Sequence, residues 1–427
     1  MAVRRAWLTS TLLALVLACT LLVTARPVQA GSGDYIVVLR PGVSLQAHLK
    51  ALKITPNRVY QSGATGYEAV LNDTQYQRVL ASPDVTIVSP NSVIATIDPM
   101  AKPPPGPPPA QLPSLGVRRI GGLLSPTAAI DGIDTRVNVD VAVVDTGVDG
   151  SHPDLNVVGG VDCSGKNTSN GTIDKDGHGT MVSGFVGAID NAIGRVGVAP
   201  GARIWGIQVF NNAGGATEGS LLCAVDWITA HASTIEIANM SLSGPFKSHM
   251  ERGNCGIAAK KSDGDPLHAA ICASVAAGVT YVVAAGNDST DASNRLPADY
   301  PEVITVSALA DSDGQPGGLG PVLQCLLPDF QVSDDTLVFF SNFGEPVDLA
   351  APGVCIGSTF PGGLYAIASG TSFSSPLVAG AAALYISTHQ GAAPAQVRAA
   401  LIAAAEPGPI PGDPDAFPEG IVNVSTF

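Results

Sequence analysis

The segment 369–384, SGTSFSSPLVAGAAAL, constrains the fold of this chain more than any other. Its second half consists almost entirely of small and aliphatic residues, which predicts a helix that packs closely against its neighbours. Its first half places a serine, Ser372, where this helix begins. We therefore expect a tightly packed helix with a reactive hydroxyl at its N-terminus, and Ser372 is the candidate nucleophile.

Two other segments supply what a serine needs to react. VAVVDTGVD contains Asp145, and DGHGTMVSG contains His178, so the order along the chain is Asp, His, Ser. A serine becomes nucleophilic when a neutral imidazole accepts its proton, and a buried carboxylate keeps that imidazole in the correct tautomer. The three residue types therefore predict nucleophilic catalysis at one site.

The surroundings of Asp145 and His178 indicate where that site forms. The β-branched run 137–144 predicts a strand of a parallel sheet, buried on both faces, with Asp145 at its C-terminal end, where sites form in open α/β sheets. His178 is predicted to open an amphipathic helix. Because a helix N-terminus disfavours an imidazolium, Asp145 has to offset that effect. The apolar face of the helix is predicted to hold Val182, Phe185, Val186 and Ile189.

With these motifs, the chain resembles the subtilisin-like serine proteases (the subtilase family) from about 111 to 405. The resemblance implies a three-layer α/β catalytic domain over 111–427, with a mostly parallel central sheet between helices. It also implies a secreted serine endopeptidase with Asp145, His178 and Ser372 as the triad. In the segment VVAAGND, Asn287 matches the family's side-chain donor to the oxyanion, and the N–H of Ser372 would be the second donor.

Two other functional classes remain as alternatives. A catalytically silent peptide-binding protein on the same scaffold would not react with a fluorophosphonate at Ser372. An aspartic protease also uses an Asp-Thr-Gly segment, but it needs two such carboxylates, and no second Asp-Thr-Gly or Asp-Ser-Gly occurs here.

The resemblance also implies where a polypeptide substrate binds. Two backbone edges, at 214–216 and 241–244, are expected to flank an extended substrate and to pair with its backbone as neighbouring strands of a sheet do. The second edge, together with the segment before Asn287, would form the walls of the primary specificity pocket. Ser243 stands where the family usually has glycine, which predicts a narrower pocket, while Asp288 is either a selector for basic side chains or a solvated loop acid. The implied substrate-binding residues are Gly214, Gly215, Ala216, Ser241, Leu242, Ser243, Gly244, Ala284, Ala285 and Gly286.

The loop AIDNAIGRVGVAP resembles the calcium loop of the same family. Calcium takes six to eight oxygen ligands, which are carboxylates, amides and carbonyls. We expect one structural Ca²⁺, and the alternative is an ordinary turn in which Asp154 serves as a cap. The resemblance implies the side chains of Gln111, Asp154 and Asn191 and the carbonyl oxygens of Ile189, Ile193 and Arg195 as its ligands.

The chain before 111 divides into three parts. Residues 1–30 have a positive start, an apolar stretch and Val-Gln-Ala at the end, which predicts a signal peptide; lipidation at Cys19 is the alternative. Residues 34–98 predict a β-α-β-β-α-β order and resemble the family's inhibitory propeptide, a small α+β ferredoxin-like domain. Its C-terminal strand would lie in the active site as a product-like inhibitor. The Pro-rich stretch 99–110 predicts an extended linker.

Composition agrees with an exported globular enzyme of 427 residues, 45% of them hydrophobic and 14% charged. The net charge of −14 argues against nucleic acid and anionic membranes as partners, and we expect a monomer without a stable membrane anchor. Six cysteines remain after a signal peptide is removed, and in an exported chain an even number indicates disulfides. Fifteen connectivities are possible. The one we expect pairs Cys163 with Cys223, Cys255 with Cys272, and Cys325 with Cys355.

Overall fold

The computed structural model describes residues 32–97, 100, 102–104, 106–165, 170–247, 250–251, 253–323 and 331–427. The predicted signal peptide and Cys325 lie outside these residues. No helix within the described ranges is both long and apolar enough to cross a bilayer.

The N-terminal unit has the predicted β-α-β-β-α-β order. Its four strands form an antiparallel sheet in the order β2-β3-β1-β4, and its two helices carry side-chain N-caps from Ser44 and Asn72. This is the ferredoxin-like arrangement expected for 34–98. The elements are β1 (Gly33–Leu39), α1 (Leu45–Leu52), β2 (Arg58–Tyr60), β3 (Gly66–Leu71), α2 (Asp73–Ala81) and β4 (Val85–Pro90).

The rest of the chain alternates strands and helices. Its helices are α3 (Leu115–Arg119), α4 (His178–Gly187), α5 (Glu218–Ala230), α6 (Pro266–Ala276), α7 (Thr371–Thr388) and α8 (Pro394–Ala404). Short 3₁₀ turns occur at Gly122–Leu124, Asn254–Gly256, Lys261–Asp263 and Ala292–Asn294. The strands are β5 (Val93–Thr96), β6 (Asp140–Asp145), β7 (Val157–Asp162), β8 (Arg203–Gln208), β9 (Gly215–Thr217), β10 (Ile237–Met240), β11 (Gly244–Pro245), β12 (Thr280–Ala284), β13 (Arg295–Leu296), β14 (Ile304–Ala310), β15 (Thr336–Leu337), β16 (Val347–Pro352), β17 (Ile356–Phe360), β18 (Leu364–Ala368) and β19 (Gly420–Ile421).

A central sheet organises this larger unit. Its strand order is β19-β16-β14-β12-β10-β6-β8-β7, and all neighbours along this path are parallel, whereas β15 adds to β14 antiparallel. The chain leaves β6 towards β7 and β8 on one side and continues with β10 on the other. The topology therefore reverses beside β6, and sites form at the carboxyl edge of such a switch point.

The central sheet is buried on both faces, which makes the larger unit three-layered. Alternating side chains of β6 divide between two cores: Val141 and Val143 pack with α4 and α7, and Ala142 and Val144 pack with α5 and α6. Strands that are covered on both faces have sequences that are apolar at nearly every position. The predicted fold class is confirmed.

Helix α7 is the tightly packed helix expected from the sequence. Most of its side chains are buried, and it contacts β10, β12, β14 and β16 as well as α4. A Cβ added at Gly380 would stand 2.6 Å from the Cβ of Val198, so the small residues permit an approach that larger ones would block.

Two local predictions were wrong. The strand begins at Asp140 and not at residue 137, although Asp145 is its last residue as predicted. Helix α4 is not amphipathic, because all ten of its residues are buried and it packs against α7, β6 and β17. It ends at Gly187, so Ile189 lies beyond it. A helix enclosed on every side has no polar face to show in its sequence.

The disulfide predictions are confirmed for two of the three pairs. Cys163 bonds to Cys223 and Cys255 to Cys272, each with Cα atoms 5.7 Å apart. Cys355 is also disulfide-bonded, and its predicted partner lies outside the described residues.

The N-terminal unit packs on α5 and α6. The Oδ1 atom of Asp226 on α5 accepts hydrogen bonds from three successive backbone N–H groups, those of residues 61–63. Arg58 donates to the carbonyl oxygens of Gly219 and Cys163 at 2.7 and 3.1 Å. These contacts fix the unit over the helix that follows the first predicted substrate edge.

Candidate active site

Asp145 and His178 form a hydrogen-bonded pair at the carboxyl edge of the sheet. The Nδ1 atom of His178 lies 2.8 Å from Oδ1 and 3.0 Å from Oδ2 of Asp145. The carboxylate is fully buried, and its Oδ1 also accepts the N–H of Thr146 at 2.7 Å. With Nδ1 facing a carboxylate, Nε2 is the ring nitrogen left free to accept a proton.

Backbone contacts fix His178 at the first position of α4. The hydroxyl of Thr146 accepts the N–H of Gly179 at 2.9 Å and donates to Asp174 at 3.0 Å. Asp174 also accepts the N–H and the hydroxyl of Thr180 at 2.9 and 2.6 Å. A Cβ at Gly179 would stand 2.1 Å from the carbonyl oxygen of Gly147, so glycine is required for this close approach.

Burial and charge act in opposite directions on His178. Burial alone would lower its pKa, but the negative charge of Asp145, the hydrogen bond to it, and the charges of Asp176 and Asp174 together raise the pKa above the ordinary 6.5. The imidazolium is therefore favoured despite the helix N-terminus, as expected from the sequence.

Ser372 is the second residue of α7, and its hydroxyl donates to the carbonyl oxygen of Ser241 at 3.2 Å. A proton transfer to His178 therefore requires the Ser372 side chain to rotate away from Ser241, and such contacts commonly tighten only when substrate binds. Its backbone N–H lies in the first turn of the helix, where N–H groups have no intrahelical acceptor.

A buried polar network holds the start of α7 against β10. The hydroxyl of Ser241 donates to the carbonyl oxygen of Ser372 at 2.7 Å and lies 3.0 Å from the hydroxyl of Ser375. Asn239 donates to the same hydroxyl at 2.8 Å. Sequence analysis missed Asn239 and Ser375, because the segments that meet here are more than 100 residues apart along the chain.

Asn287 follows β12 and faces the same cleft. Its Oδ1 accepts the N–H and the hydroxyl of Thr371, both at 2.9 Å. The amide Nδ2 is therefore the group left to donate into the cleft, which Ser372 also lines. Together with the backbone N–H of Ser372, this donor could stabilise an oxyanion that forms there.

A cleft of about 730 Å³ brings most of the predicted substrate residues together with the catalytic ones. Its lining includes His178, Asn287 and Ser372 from the candidate catalytic set. Of the predicted substrate residues it includes Ser241, Leu242, Ser243, Gly244, Ala284 and Gly286. Ala285 is fully buried behind the wall that these residues form.

The other predicted edge, Gly214 to Ala216, is occupied by the chain itself. Strand β5 pairs antiparallel with β9, with Thr96 opposite Gly215 and Ala95 opposite Ala216, and the N–H of Ile97 donates to the carbonyl oxygen of Gly214 at 2.9 Å. Residues of this strand line the cleft beside Ser372. The segment that directly follows the N-terminal unit thus lies in the cleft as an added strand.

Asp288 is paired and about half exposed. Its Oδ2 lies 3.0 Å from Nη2 of Arg295, and its side chain is 48% exposed, which agrees with a solvated loop acid more than with an unpaired selector for basic side chains. Across the pocket, the hydroxyl of Ser243 lies 2.7 Å from the point where a Cβ on Gly286 would stand. The two expected walls therefore approach each other closely at this point.

The six predicted calcium residues come together in one loop cluster. Asp154 accepts the side-chain amide of Asn191 at 2.9 Å, the N–H of Arg195 at 3.0 Å and the hydroxyl of Tyr365 at 3.1 Å. Gln111 accepts the N–H of Asn191 at 2.6 Å. Ile189 donates to the Asp154 carbonyl, and Ile193 donates to Asn191.

This donor set fits a calcium ion in its chemistry. It offers one carboxylate, two amide oxygens and three carbonyls, all of them oxygen ligands. Asp154 is fully buried, and this burial raises its pKa to about 6, because desolvation disfavours the charged carboxylate. A bound cation would replace the hydrogen bonds that now satisfy this carboxylate.

A second group of carboxylates was not singled out from the sequence. One oxygen from each of Asp311, Asp313 and Asp334 lies within 4.8 Å of the others. Asp334 is engaged by the N–H and hydroxyl of Ser312 and by the N–H of Gly320.

Comparison with known proteins gives consistent matches. A family model described as the subtilase family matches residues 137–421. Subtilisin NAT of Bacillus subtilis subsp. natto is 34% identical over 293 residues, which are 68% of this chain and 65% of that protein. Subtilisin of Bacillus pumilus is 33% identical over 293 residues, covering 68% of this chain and 90% of that protein.

The match to this chain covers 65% of the length of subtilisin NAT, slightly less than two thirds. Among solved structures, a cold adapted subtilisin-like serine proteinase is similar with a TM-score of 0.52 and 29% identity. That similarity covers 70% of this chain and 97% of the other.

Proposed function

The chain belongs to the subtilase family, and we propose that it is a serine endopeptidase that cleaves polypeptides through an acyl-enzyme on Ser372. The observation that carries this proposal is the buried Asp145–His178 pair in a cleft that also exposes Ser372 and Asn287. The resemblance of the four residues to the family's catalytic set gives each one its role.

The chemistry proceeds in two displacements. The Oγ of Ser372 attacks the scissile carbonyl carbon while Nε2 of His178 takes its proton, and Asp145 stabilises the imidazolium that forms. The amide of Asn287 and the N–H of Ser372 stabilise the oxyanion. The imidazolium then protonates the leaving amine. Water attacks the acyl-enzyme in the second half, with His178 again as the base, and the acid product leaves.

The substrate binds as a strand between the two edges. Strand β5 already adopts this arrangement, with its backbone paired to Gly214 and Gly215. This supports an inhibitory propeptide over 34–98 and a zymogen, because a substrate cannot pair with β9 while β5 does so. The stretch 99–110 serves as the linker to a catalytic domain over 111–427, which acts as a monomer.

Secretion and a structural calcium ion complete the proposal. The disulfides Cys163–Cys223 and Cys255–Cys272 support an oxidising compartment, as does the sequence pattern of a signal peptide over 1–30. Asp154, Asn191 and Gln111 with the carbonyls of Ile189, Ile193 and Arg195 would hold Ca²⁺, which supplies a crosslink that slows unfolding.

The proposal is tested by labelling and self-processing together. Wild-type protein is expected to react with a fluorophosphonate and to shorten at its N-terminus, whereas Ser372→Ala protein is expected to do neither. A Ser374→Ala variant is the matched control, since this hydroxyl lies two positions further along α7 and is buried. A correctly folded wild-type protein that neither reacts with the reagent nor cleaves casein would instead be a silent peptide-binding protein.

A further inference from the structure

Arg295 connects the two segments that are expected to form the walls of the specificity pocket. On one side, β13 pairs with β11, with Arg295 opposite Pro245 directly after the Ser241–Gly244 edge. On the other side, the guanidinium contacts Asp288, the residue that follows Asn287. Arg295 also lines the cleft that contains Ser372. Arg295 thus joins one wall through its backbone and the other through its guanidinium, at the border of the cleft.

One donor of the Arg295 guanidinium is unused. Its Nη2 pairs with Asp288, but its buried Nε has no hydrogen-bond partner among the residues that the structure describes. The Arg295 side chain is 20% exposed, and that of Asp288 is 48% exposed. Solvent therefore competes for the Asp288 carboxylate, which weakens its hold on the arginine. A carboxylate brought in by a substrate is shielded from water and pairs more strongly.

A second unpaired donor belongs to a residue that lines the same cleft. Within the described part of the chain, the buried hydroxyl of Ser243 has no hydrogen-bond partner, and it comes close to Gly286 on the opposite wall. A guanidinium and a hydroxyl in a narrow slot suit a carboxylate, whereas an aromatic ring would leave both donors desolvated and unmatched. A lysine side chain would meet the like charge of Arg295.

The chain's own cleft segment agrees with this chemistry. Strand β5 occupies the cleft, and the N–H of Ile97 is bonded to Gly214. The residue that follows Ile97 in the sequence is an aspartate, Asp98, which lies outside the described residues. The segment that this protease would cut from itself therefore carries an acid immediately after Ile97 in the sequence.

From these observations we infer that the pocket selects an acidic side chain, Glu or Asp, at the substrate residue whose carbonyl Ser372 attacks. Arg295 is the specificity-determining residue, and the hydroxyl of Ser243 is its auxiliary donor. The inference rests on the proposed function, since it names the substrate class of the same site.

The test uses protein matured from the full chain and five tetrapeptide p-nitroanilides that differ only in the last residue, Glu, Asp, Leu, Phe or Lys. Wild-type kcat/KM is expected to be highest for Glu or Asp. Arg295→Gln is expected to lower kcat/KM for these acids by roughly 10- to 100-fold, the value of a charge-assisted hydrogen bond, and to change the Leu value by less than about threefold.

Two further variants sharpen the test. Asp288→Asn removes the carboxylate that competes for Arg295 and is expected to raise the preference for Glu over Leu severalfold. Arg398→Gln is the matched control, because Arg398 pairs with Asp348 at 34% exposure outside the cleft lining, and it should leave the ranking unchanged.

Fluorophosphonate labelling of Ser372 separates the possible failures. A wild-type enzyme that labels but prefers Leu or Phe overturns the acidic preference and leaves the proposed function intact. The same holds if Arg295→Gln labels normally and keeps its preference for Glu. Protein that neither labels nor cleaves any of the five substrates overturns both.

Discussion

The amide oxygen of Asn287 is held by Thr371, whose N–H and hydroxyl both donate to it at 2.9 Å. This pairing fixes which end of the amide faces the cleft, since only Nδ2 is left to meet a substrate. The orientation of this candidate oxyanion donor therefore depends on Thr371.

Replacing Asn287 with Ala is expected to lower kcat by about 10² to 10³ with little change in KM, a magnitude that belongs to the equivalent donor of subtilisin and is carried over to this chain. The reason is that the donor acts on charge that develops only in the transition state. Steady-state kinetics on a peptide anilide measures kcat and KM separately. Thr371→Val removes one of the two contacts and should give a smaller loss of kcat. A change confined to KM would contradict the assigned role.

The pH dependence of kcat/KM is expected to reflect the protonation of His178. Its pKa is raised above 6.5, and the base must be neutral, so kcat/KM is expected to fall about tenfold per pH unit below a pKa that exceeds 6.5. The sign for stability is opposite: a raised imidazole pKa stabilises the fold below 6.5, and this contribution is lost as the pH rises through the folded pKa. Loss of activity on acidification, with circular dichroism unchanged, is the expected result. An acid limb centred near pH 4 would point to a carboxylate instead.

A Cβ at Gly244 would stand 1.8 Å from the carbonyl oxygen of Ile94, and the three nearest atoms all belong to that residue of the cleft strand. Gly244→Ala is therefore expected to weaken both the propeptide and extended substrates, raising KM at least tenfold while the free enzyme keeps its stability. Gly165→Ala is the control, because its Cβ would meet nothing within 4 Å. Equal KM values in the two variants would show that substrates do not follow the path of β5.

Glu218 is expected to make the stability of the uncut protein depend on pH, at its contact with the N-terminal unit. Its Oε2 lies 3.0 Å from the hydroxyl of Ser89 and 2.7 Å from the ammonium of Lys247, and burial raises its pKa to about 7 from an ordinary 4.5. A carboxyl with a raised folded pKa favours the fold when protonated. Stability of the uncut Ser372→Ala protein should therefore decline between pH 4.5 and 7, by on the order of 3 kcal/mol from this group.

Thermal unfolding at several pH values measures that decline. Adding Glu218→Gln to the Ser372→Ala background should make the pH dependence shallower over the same range. If the two unfolding series stay parallel, Glu218 is not the group responsible.

Chelation tests the calcium proposal. Treatment with EDTA is expected to lower the midpoint of thermal unfolding of the matured protein by several degrees, because an ion bound only to the folded state stabilises it by mass action. Asp154→Asn should lower the midpoint and abolish the response to EDTA. Asp334→Asn is the comparison: if it alone removes the response, the ion lies among Asp311, Asp313 and Asp334.

Local pattern was enough to predict several parts of this molecule. The apolar run in YIVVLRPG and the caps at Ser44 and Asn72 act within a few residues, so the β-α-β-β-α-β unit could be predicted from the sequence. The sulfur pairs Cys163–Cys223 and Cys255–Cys272 were among fifteen alternatives that spacing does not distinguish. Only the folded structure, which brings each pair of sulfurs together, confirms them.

Other features depend on contacts between distant segments. The hydroxyls of Ser241 and Ser375 meet across 134 positions of sequence, and no local pattern predicts that approach. The pairing of Arg295 with Asp288 requires the 3₁₀ turn at Ala292–Asn294 to bring the chain back towards the cleft. Helix α4 looked one-sided in sequence because Gly, Ser and Thr count as polar, yet all of them pack inside.

The antiparallel pairing of β5 with β9 has a consequence for timing. The segment that blocks the cleft is itself polypeptide, so every molecule would be made with its own competitor in a one-to-one ratio. Proteolysis would begin only after that competitor had dissociated and been digested. The delay between export and activity would then be governed by the lifetime of one short stretch of backbone pairing.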